Sequence, residues 1–515
     1  MRGLMSVQIC RQALLAAASC LLLQLPARAI DEVVIELPLL ESTISLKLSE
    51  LSSPAALISG NSDLAELDRA SDGELGRKLL KLLNHPLPAS FRQVADAAVG
   101  SPLLEQTLLF VSSFGTVEGR PPDLSGETLK QALDRASSAS PTGEPTLLQL
   151  MQALPGERVS LDLGQANFIL ARMMRQRSQA DRLMAAAPAA PVAVPPRLDV
   201  PLHITRQQLP VRHRVEPLEL ELIRPATGSN GRLVLISHGL WDTPLNFEGW
   251  GRVLANEGYT VVLPRHPGSD KSQQHEVLTG QAPPPSAAEL GLRALDLRAI
   301  NDGVAQNQLS GLSGVDASQV VVIGHSWGAT TALQVAGVTP EDGSLLKRCD
   351  NVGDPERNLS WTLQCSWLRG VDQAAIADPR VIAVAAVSPP VSLLFPRGSG
   401  RTMNGRFLLV SGTQDWVVPP DPEAVTPFGM AVAHGHQLVL VKGGDHFNLR
   451  PGKAANGGVL AALLLEWTNR AFSAGVSARP AQGASPLLPP GNWGSAEKPM
   501  ADVTAQVRVV ATSSK

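Results

Sequence analysis

Three side chains in the C-terminal half have the types and chain order needed to cleave an acyl bond through a covalent intermediate. Ser326 lies in "VVVIGHSWGATTALQ" (Val320 to Gln334). A serine hydroxyl is a weak nucleophile at neutral pH and needs a base. His446, in "HQLVLVKGGDHFNL", is placed to take the serine proton and return it to the leaving group. Asp415, in "RFLLVSGTQDWVVPP", is placed to hold the imidazole tautomer and stabilise the imidazolium. Gly324 and Gly328 bracket Ser326 as G-x-S-x-G, between an apolar run that reads as a strand and a segment that reads as a helix. Such an elbow strains the serine backbone, and side chains at its flanks would clash, so glycine is required there. The following helix N-terminus favours the negative charge that develops in acyl transfer.

Asp421 and Glu423 compete for the acid role but lie deeper in a Pro-rich loop, whereas Asp415 directly follows a strand. Asp445 neighbours His446 and is expected to point away. His434 and His436 precede a strand and read as exposed loop residues. An oxyanion hole needs two backbone donors. Trp327 supplies one, and Leu240 or Trp241 in "LVLISHGLWDTP" supplies the other. His238, His266 and His325 read as packing or orienting groups. No Cys/His spacing suits zinc and no Gly-rich phosphate cradle follows a strand, so neither a metal nor another cofactor is expected.

These residues require a scaffold of strands and helices. "ELELIRP", "RLVLISHG", "TVVLPRHPG", "QVVVIG", "VIAVAAVS", "RFLLVSG" and "HQLVLVKGG" are strand-like and are separated by helical segments such as Asn246 to Gly258. Continuous apolar strands alternating with helices predict an α/β fold, with a mostly parallel sheet covered on both faces. Ser286-Ala287-Ala288-Glu289 fits a capping box opening a helix with Leu290, Leu297, Ile300 and Val304 on one face. Residues 338–378 interrupt the alternation and read as an inserted cap that borders the acyl pocket.

Upstream, residues 30–184 read as a mainly helical domain with a short hairpin. Ile44, Leu46 and Leu48 alternate, and apolar residues then recur at helical steps near Phe91–Val99, Leu103–Phe114, Leu124–Ala136, Leu147–Leu154 and Gly164–Met184. Residues 185–197, "AAAPAAPVAVPPR", read as an Ala/Pro linker to the hydrolytic domain at 198–475. Residues 476–515, rich in Pro, Ala, Gly and Ser, are expected to be disordered.

The chain has 515 residues, 44% of them hydrophobic, with a formal charge of −3 and no basic stripe, which disfavours a nucleic-acid partner. Arg2 and Arg11, the apolar stretch from Ala13 to Leu25, and Ala27-Arg28-Ala29 read as a cleaved signal peptide over residues 1–29. Its removal takes away three Arg and no acid, leaving −6. An exported protein in the periplasm or outside the cell is expected, with a thylakoid lumen an alternative. Cys349 and Cys365 remain, and export makes them candidates for one disulfide.

The elbow, the "SHG" loop, "LPRHPGS", "GTQD" and "GGDHF" together resemble the α/β-hydrolases, most closely the dienelactone hydrolase and platelet-activating-factor acetylhydrolase group. "ISLKLSEL", "LAELDRASDGELGRKLLKLLNHPLP" and "GEPTLLQLMQALPGERVSLDL" resemble an uncharacterised domain that precedes such hydrolases in cyanobacteria. Dienelactone hydrolases carry Cys at the position of Ser326, so the resemblance implies a serine esterase or lipase-like enzyme. It implies a small-molecule or lipid ester as substrate, with membrane-surface contact compatible and no partner protein identified. A peptidase or amidase with the same triad, and a binding or scaffold protein with an idle site, are the competing readings.

Overall fold

A computed structural model describes residues 30–37, 42–87, 90–118, 124–196, 198–395, 403, 405–431, 435–474 and 485–507. The expected signal peptide, residues 1–29, lies outside the described residues, as does His434. The chain divides into two compact units. One comprises the described residues before 89 with those of 115–124 and 128–164. The other comprises those of 89–114, 125–127 and everything from 165 onward.

In the first unit, the expected hairpin pairs Glu32–Leu37 with Ser42–Lys47. Two further strands extend it: Arg158–Asp162 lies parallel to Glu32–Leu37, and Gly115–Val117 lies antiparallel to Arg158–Asp162. Val33, Leu48, Leu51, Leu57, Leu64, Leu80 and Leu148 form its core. The helix Leu147–Ala153 starts at a capping box made by Thr146 and Gln149.

The second unit is built on nine strands: β1 (Leu202–Leu209), β2 (Leu218–Pro225), β3 (Arg232–Ser237), β4 (Thr260–Pro264), β5 (Asp316–His325), β6 (Val381–Val387), β7 (Arg406–Gly412), β8 (Gln437–Val441) and β9 (Met500–Asp502). Their spatial order is β9-β8-β7-β6-β5-β3-β4-β2-β1. From β3 through β8 all pairs are parallel, while β2 runs antiparallel to β1 and β4, and β9 antiparallel to β8. The central strands read as unbroken apolar runs because both faces are covered.

The helices of this unit include α1 (Ser90–Ala98), α2 (Pro102–Ser112), α3 (Leu163–Ala185), α4 (Glu248–Asn256), α5 (Lys271–Leu278), α6 (Glu289–Ala305), α7 (Trp327–Val335), α8 (Gly343–Arg348), α9 (Leu359–Ser366) and α10 (Ala461–Ser473). One sheet face packs Leu235, Val320 and Val322 against α6 and α7. The other packs Val234, Val321 and Val439 against Trp250 and Leu254 of α4 and Leu463 and Trp467 of α10. The insertion expected at 338–378 holds α8 and α9, joined by a Cys349–Cys365 disulfide. Helix α2 packs on α9, and α1 on α5.

Three expectations need correction. Helices α1, α2 and nearly all of α3, expected in a separate N-terminal domain, belong to the unit that holds the large sheet. Helical periodicity identifies their apolar faces but not what covers them. The tail expected to be disordered supplies β9 and the buried Trp493, Met500 and Val503; its residues 476–484 and 508–515 lie outside the described set. The Ser286–Glu289 capping box does not form, because Glu289 instead takes two hydrogen bonds from Arg214 Nη1, at 2.7 and 2.9 Å.

Candidate active site

Strand β5 ends at His325, and Ser326 follows with φ +54°, in the left-handed region that a non-glycine residue adopts at a cost. The bracketing glycines explain how the turn closes. A methyl group on Gly324 would lie 2.2 Å from Gly328 O, and one on Gly328 would lie 2.1 Å from Ser237 O. Helix α7 begins at Trp327, so Ser326 stands where a parallel strand meets a helix N-terminus.

Asp415 and His446 follow β7 and β8 and are brought together. His446 Nδ1 lies 3.0 Å from Asp415 Oδ2, with both residues buried. The turns that carry them are bonded to each other: Gln414 N–H donates to Gly444 O at 2.8 Å, and Gly443 N–H to Thr413 Oγ1 at 3.1 Å. Asp415 Oδ1 accepts from the backbone of Val417 and Val418, which leaves Oδ2 for the imidazole. The serine and histidine segments meet through His325. Its Nε2 donates to His446 O at 2.9 Å, and the two rings stand 4.8 Å apart. Burial and the neighbouring His446 push the His325 pKa well below the usual histidine value, so it is a neutral tether.

The competitors are occupied elsewhere. Glu423 accepts from Ser360 Oγ, Gln364 Nε2 and Ser392 Oγ and from the backbone of Val391 and Ser392, tying α9 to the loop after β6. Asp421 accepts from Gln179 on α3. Asp445 accepts from the backbone of Phe447 and Asn448 within its own turn. His436 is buried rather than exposed, stacked on Phe407 with ring centroids 3.9 Å apart.

The loop after β3 abuts the nucleophile, for a methyl on Gly239 would lie 3.1 Å from Ser326 Cβ. Of the two donors considered there, Trp241 is excluded because its N–H donates to Ser269 O at 2.7 Å. That bond holds Trp241 at φ +55°. Leu240 remains, together with Trp327 at the first position of α7. Both side chains pack in the core of the insertion with Trp361, Trp367 and the Cys349–Cys365 bridge.

A buried polar network behind this loop was not anticipated. Ser237 Oγ lies 2.9 Å from His266 Nε2, and His266 Nδ1 lies 2.8 Å from Asp296 Oδ2. This is a second Ser-His-Asp arrangement, but all three residues are sealed from solvent and Ser237 sits on a straight strand. Arg293, also fully buried, donates to His238 O and to Ser269 Oγ and stands 4.9 Å from the centre of the Trp327 ring. Burial depresses its pKa to about 9. Burial, then the Arg293 charge, lowers His266 to about 3. Burial alone would raise Asp296, but hydrogen bonds from His213, His266 and Arg214 outweigh it and hold the carboxylate ionised. The signal for this network was present in the sequence: Glu289, Arg293 and Asp296 recur at four- and three-residue steps beside an apolar stripe.

The two cavities of about 880 Å³ in this unit are not lined by Ser326. One lies beyond the far end of α7, between Leu333, Phe407, Phe428 and Arg172 of α3.

Residues 232–342 match the family model for the alpha/beta hydrolase fold. That span runs from β3 to the start of the insertion and includes the elbow, but ends before Asp415 and His446. No curated protein matches the chain. The sheet order, the helices on both faces and the elbow agree with that match, and the second unit has the α/β-hydrolase fold.

Proposed function

We propose that this hydrolase is an exported serine esterase acting on carboxylic esters, with Ser326, His446 and Asp415 as its triad. The observation that carries the proposal is a strained serine elbow on the same sheet edge as a buried His-Asp pair. His446 Nδ1 is engaged by Asp415, so Nε2 is the nitrogen free for proton transfer. It takes the Ser326 proton as Oγ attacks the ester carbonyl. The oxyanion is held by the N–H groups of Trp327 and Leu240. Collapse expels the alcohol, which takes the proton from His446 and leaves an acyl-serine. Water, deprotonated by the same nitrogen, attacks the acyl-serine and releases the carboxylic acid. Ser rather than Cys at the nucleophile favours ester hydrolysis over dienelactone chemistry. A lipid-type or short-acyl ester follows from the resemblance, and the buried disulfide favours an oxidising compartment reached through a cleaved signal peptide.

The test is labelling by a fluorophosphonate together with hydrolysis of p-nitrophenyl esters of graded acyl length. Labelled Ser326, and ester turnover lost in Ser326→Ala, support the reading. A folded protein that neither labels nor hydrolyses any ester overturns it in favour of a binding protein.

A further inference from the structure

Two aromatic side chains beside the site take no part in the steps above. Trp416 follows Asp415 and Phe447 follows His446, and they are 50% and 52% exposed. Six of the eight tryptophans are buried, so an open one directly after the acid departs from this chain's own habit. The two rings are tilted by 55° with centroids 6.5 Å apart, and Phe447 meets the His446 ring edge-on at 5.6 Å.

The turns that carry the pair are hydrogen-bonded in place. Asp415 Oδ1 fixes the turn through Val417 and Val418, and Asp445 fixes the other turn through the Phe447 and Asn448 N–H groups, both at 2.8 Å. The Arg450 guanidinium stands 5.3 Å from the centre of the Phe447 ring and is itself tied to Asp242 in the loop after β3. The turns that orient the acid and base thus also present two apolar surfaces to solvent.

Which half of a substrate meets them follows from proton transfer. His446 must protonate the departing oxygen, so the alcohol half of the ester lies on the histidine side. We infer that Trp416 and Phe447 form the binding surface for the alcohol portion of the ester, and that this alcohol is apolar. The inference rests on the assignment of Ser326 and His446 above and adds the chemical class of the leaving group. Aromatic rings contribute large apolar area with little rotamer entropy to lose, which suits a shallow open site.

The experiment uses the full exported chain and compares kcat/KM for ethyl, butyl, hexyl and benzyl acetate, and separately for ethyl acetate, butanoate and octanoate. Fluorophosphonate labelling is measured first. The expected wild-type benzyl-to-ethyl preference is roughly tenfold or more, and in Trp416→Ala and Phe447→Ala it falls by roughly tenfold. The octanoate-to-acetate preference stays within about threefold of wild type, and Trp416→Tyr restores part of the benzyl preference. A benzyl-to-ethyl ratio unchanged in both alanine variants overturns the inference, as does a loss that follows acyl length instead. Loss of binding to phosphatidylcholine vesicles with an unchanged ratio overturns it in favour of a membrane contact. Failure of Ser326 to label removes the hydrolase reading itself. Labelling with flat alcohol selectivity removes only the aromatic surface.

Discussion

Asp415 and Glu423 are both buried carboxylates on the chain that follows β7, yet their surroundings assign them different work. Asp415 gives one oxygen to its own turn and the other to His446, so its charge is directed at a group that must become cationic. Glu423 accepts only from neutral donors on α9 and on the loop after β6, so its charge secures packing. Asp415→Asn should lower kcat by about 10⁴ while leaving the fold intact, because the amide stabilises the wrong imidazole tautomer. Glu423→Gln should keep kcat within about threefold but lower stability by about 1–3 kcal/mol, since its amide has one acceptor oxygen and cannot accept both from the Val391 and Ser392 N–H groups and from Gln364 Nε2. Kinetics at pH 8 and thermal melts separate the two, and the opposite pattern would make Glu423 the acid. The triad was legible in the sequence because each member sits at the end of an apolar strand and the elbow is a local motif. The unsuitability of Trp241 was not legible, because its bond to Ser269 joins segments 28 positions apart.

Helix α6 carries a row of charge into the protein, and the acid response of the fold follows from it. His238, His266 and His325 all have folded pKa values below the ordinary 6.5, chiefly through burial, and His266 is lowered to about 3. Between pH 6.5 and 3 the unfolded chain therefore binds protons that the folded chain refuses, and stability falls as pH falls through that window. Asp296 acts in the same direction, for its stabilisation is present above the ordinary carboxylate pKa and is lost on acidification. His266 alone should cost about 2 kcal/mol between pH 6.5 and 5. Urea midpoints at pH 7.5 and 5.0 should show a steep loss. His266→Phe should start less stable, because Ser237 and Asp296 lose a partner, but should have a shallower pH slope. Equal slopes would mean that His266 titrates normally. The same network sets the loop after β3: Arg293 joins His238 O to Ser269, whose carbonyl holds Trp241. Elements with one-sided apolar periodicity were legible in the sequence. The polar row inside α6 was visible only as spacing, because its partners come from the loops after β1, β3 and β4.

At the scale of the whole sheet, the two edges are closed by strands that the sequence hid. Strand β1, "LHITRQQL", has only three apolar residues and is largely exposed, so it lacks the continuous apolar signature of its neighbours. Strand β9 has three residues and lies in a Pro- and Gly-rich tail whose composition argues for disorder. Composition misleads here because a few large side chains outweigh the average. Trp493, Leu488, Met500, Ala501 and Val503 are all buried, and Leu438 N–H donates to Thr504 Oγ1 beyond the strand. The segment also fixes the Ala/Pro stretch expected to act as a linker, since Ala190 N–H donates to Met500 O and Val192 bridges Gly494. Removing residues 485–515 would uncover β8, whose five residues are all buried, and leave an apolar edge open to pairing with other chains. Burial of a large apolar side chain contributes about 1.5–3 kcal/mol, so losing several approaches the whole stability of a domain. The shortened chain should aggregate on expression, whereas Trp493→Ala alone should fold, melt well below wild type and keep its kcat. The gentler variant matters because Trp493 lies on the sheet face away from α7, so its loss should leave the elbow in place. A soluble chain ending at 484 that melts within about 2 °C of wild type would show that β8 can end the sheet unaided.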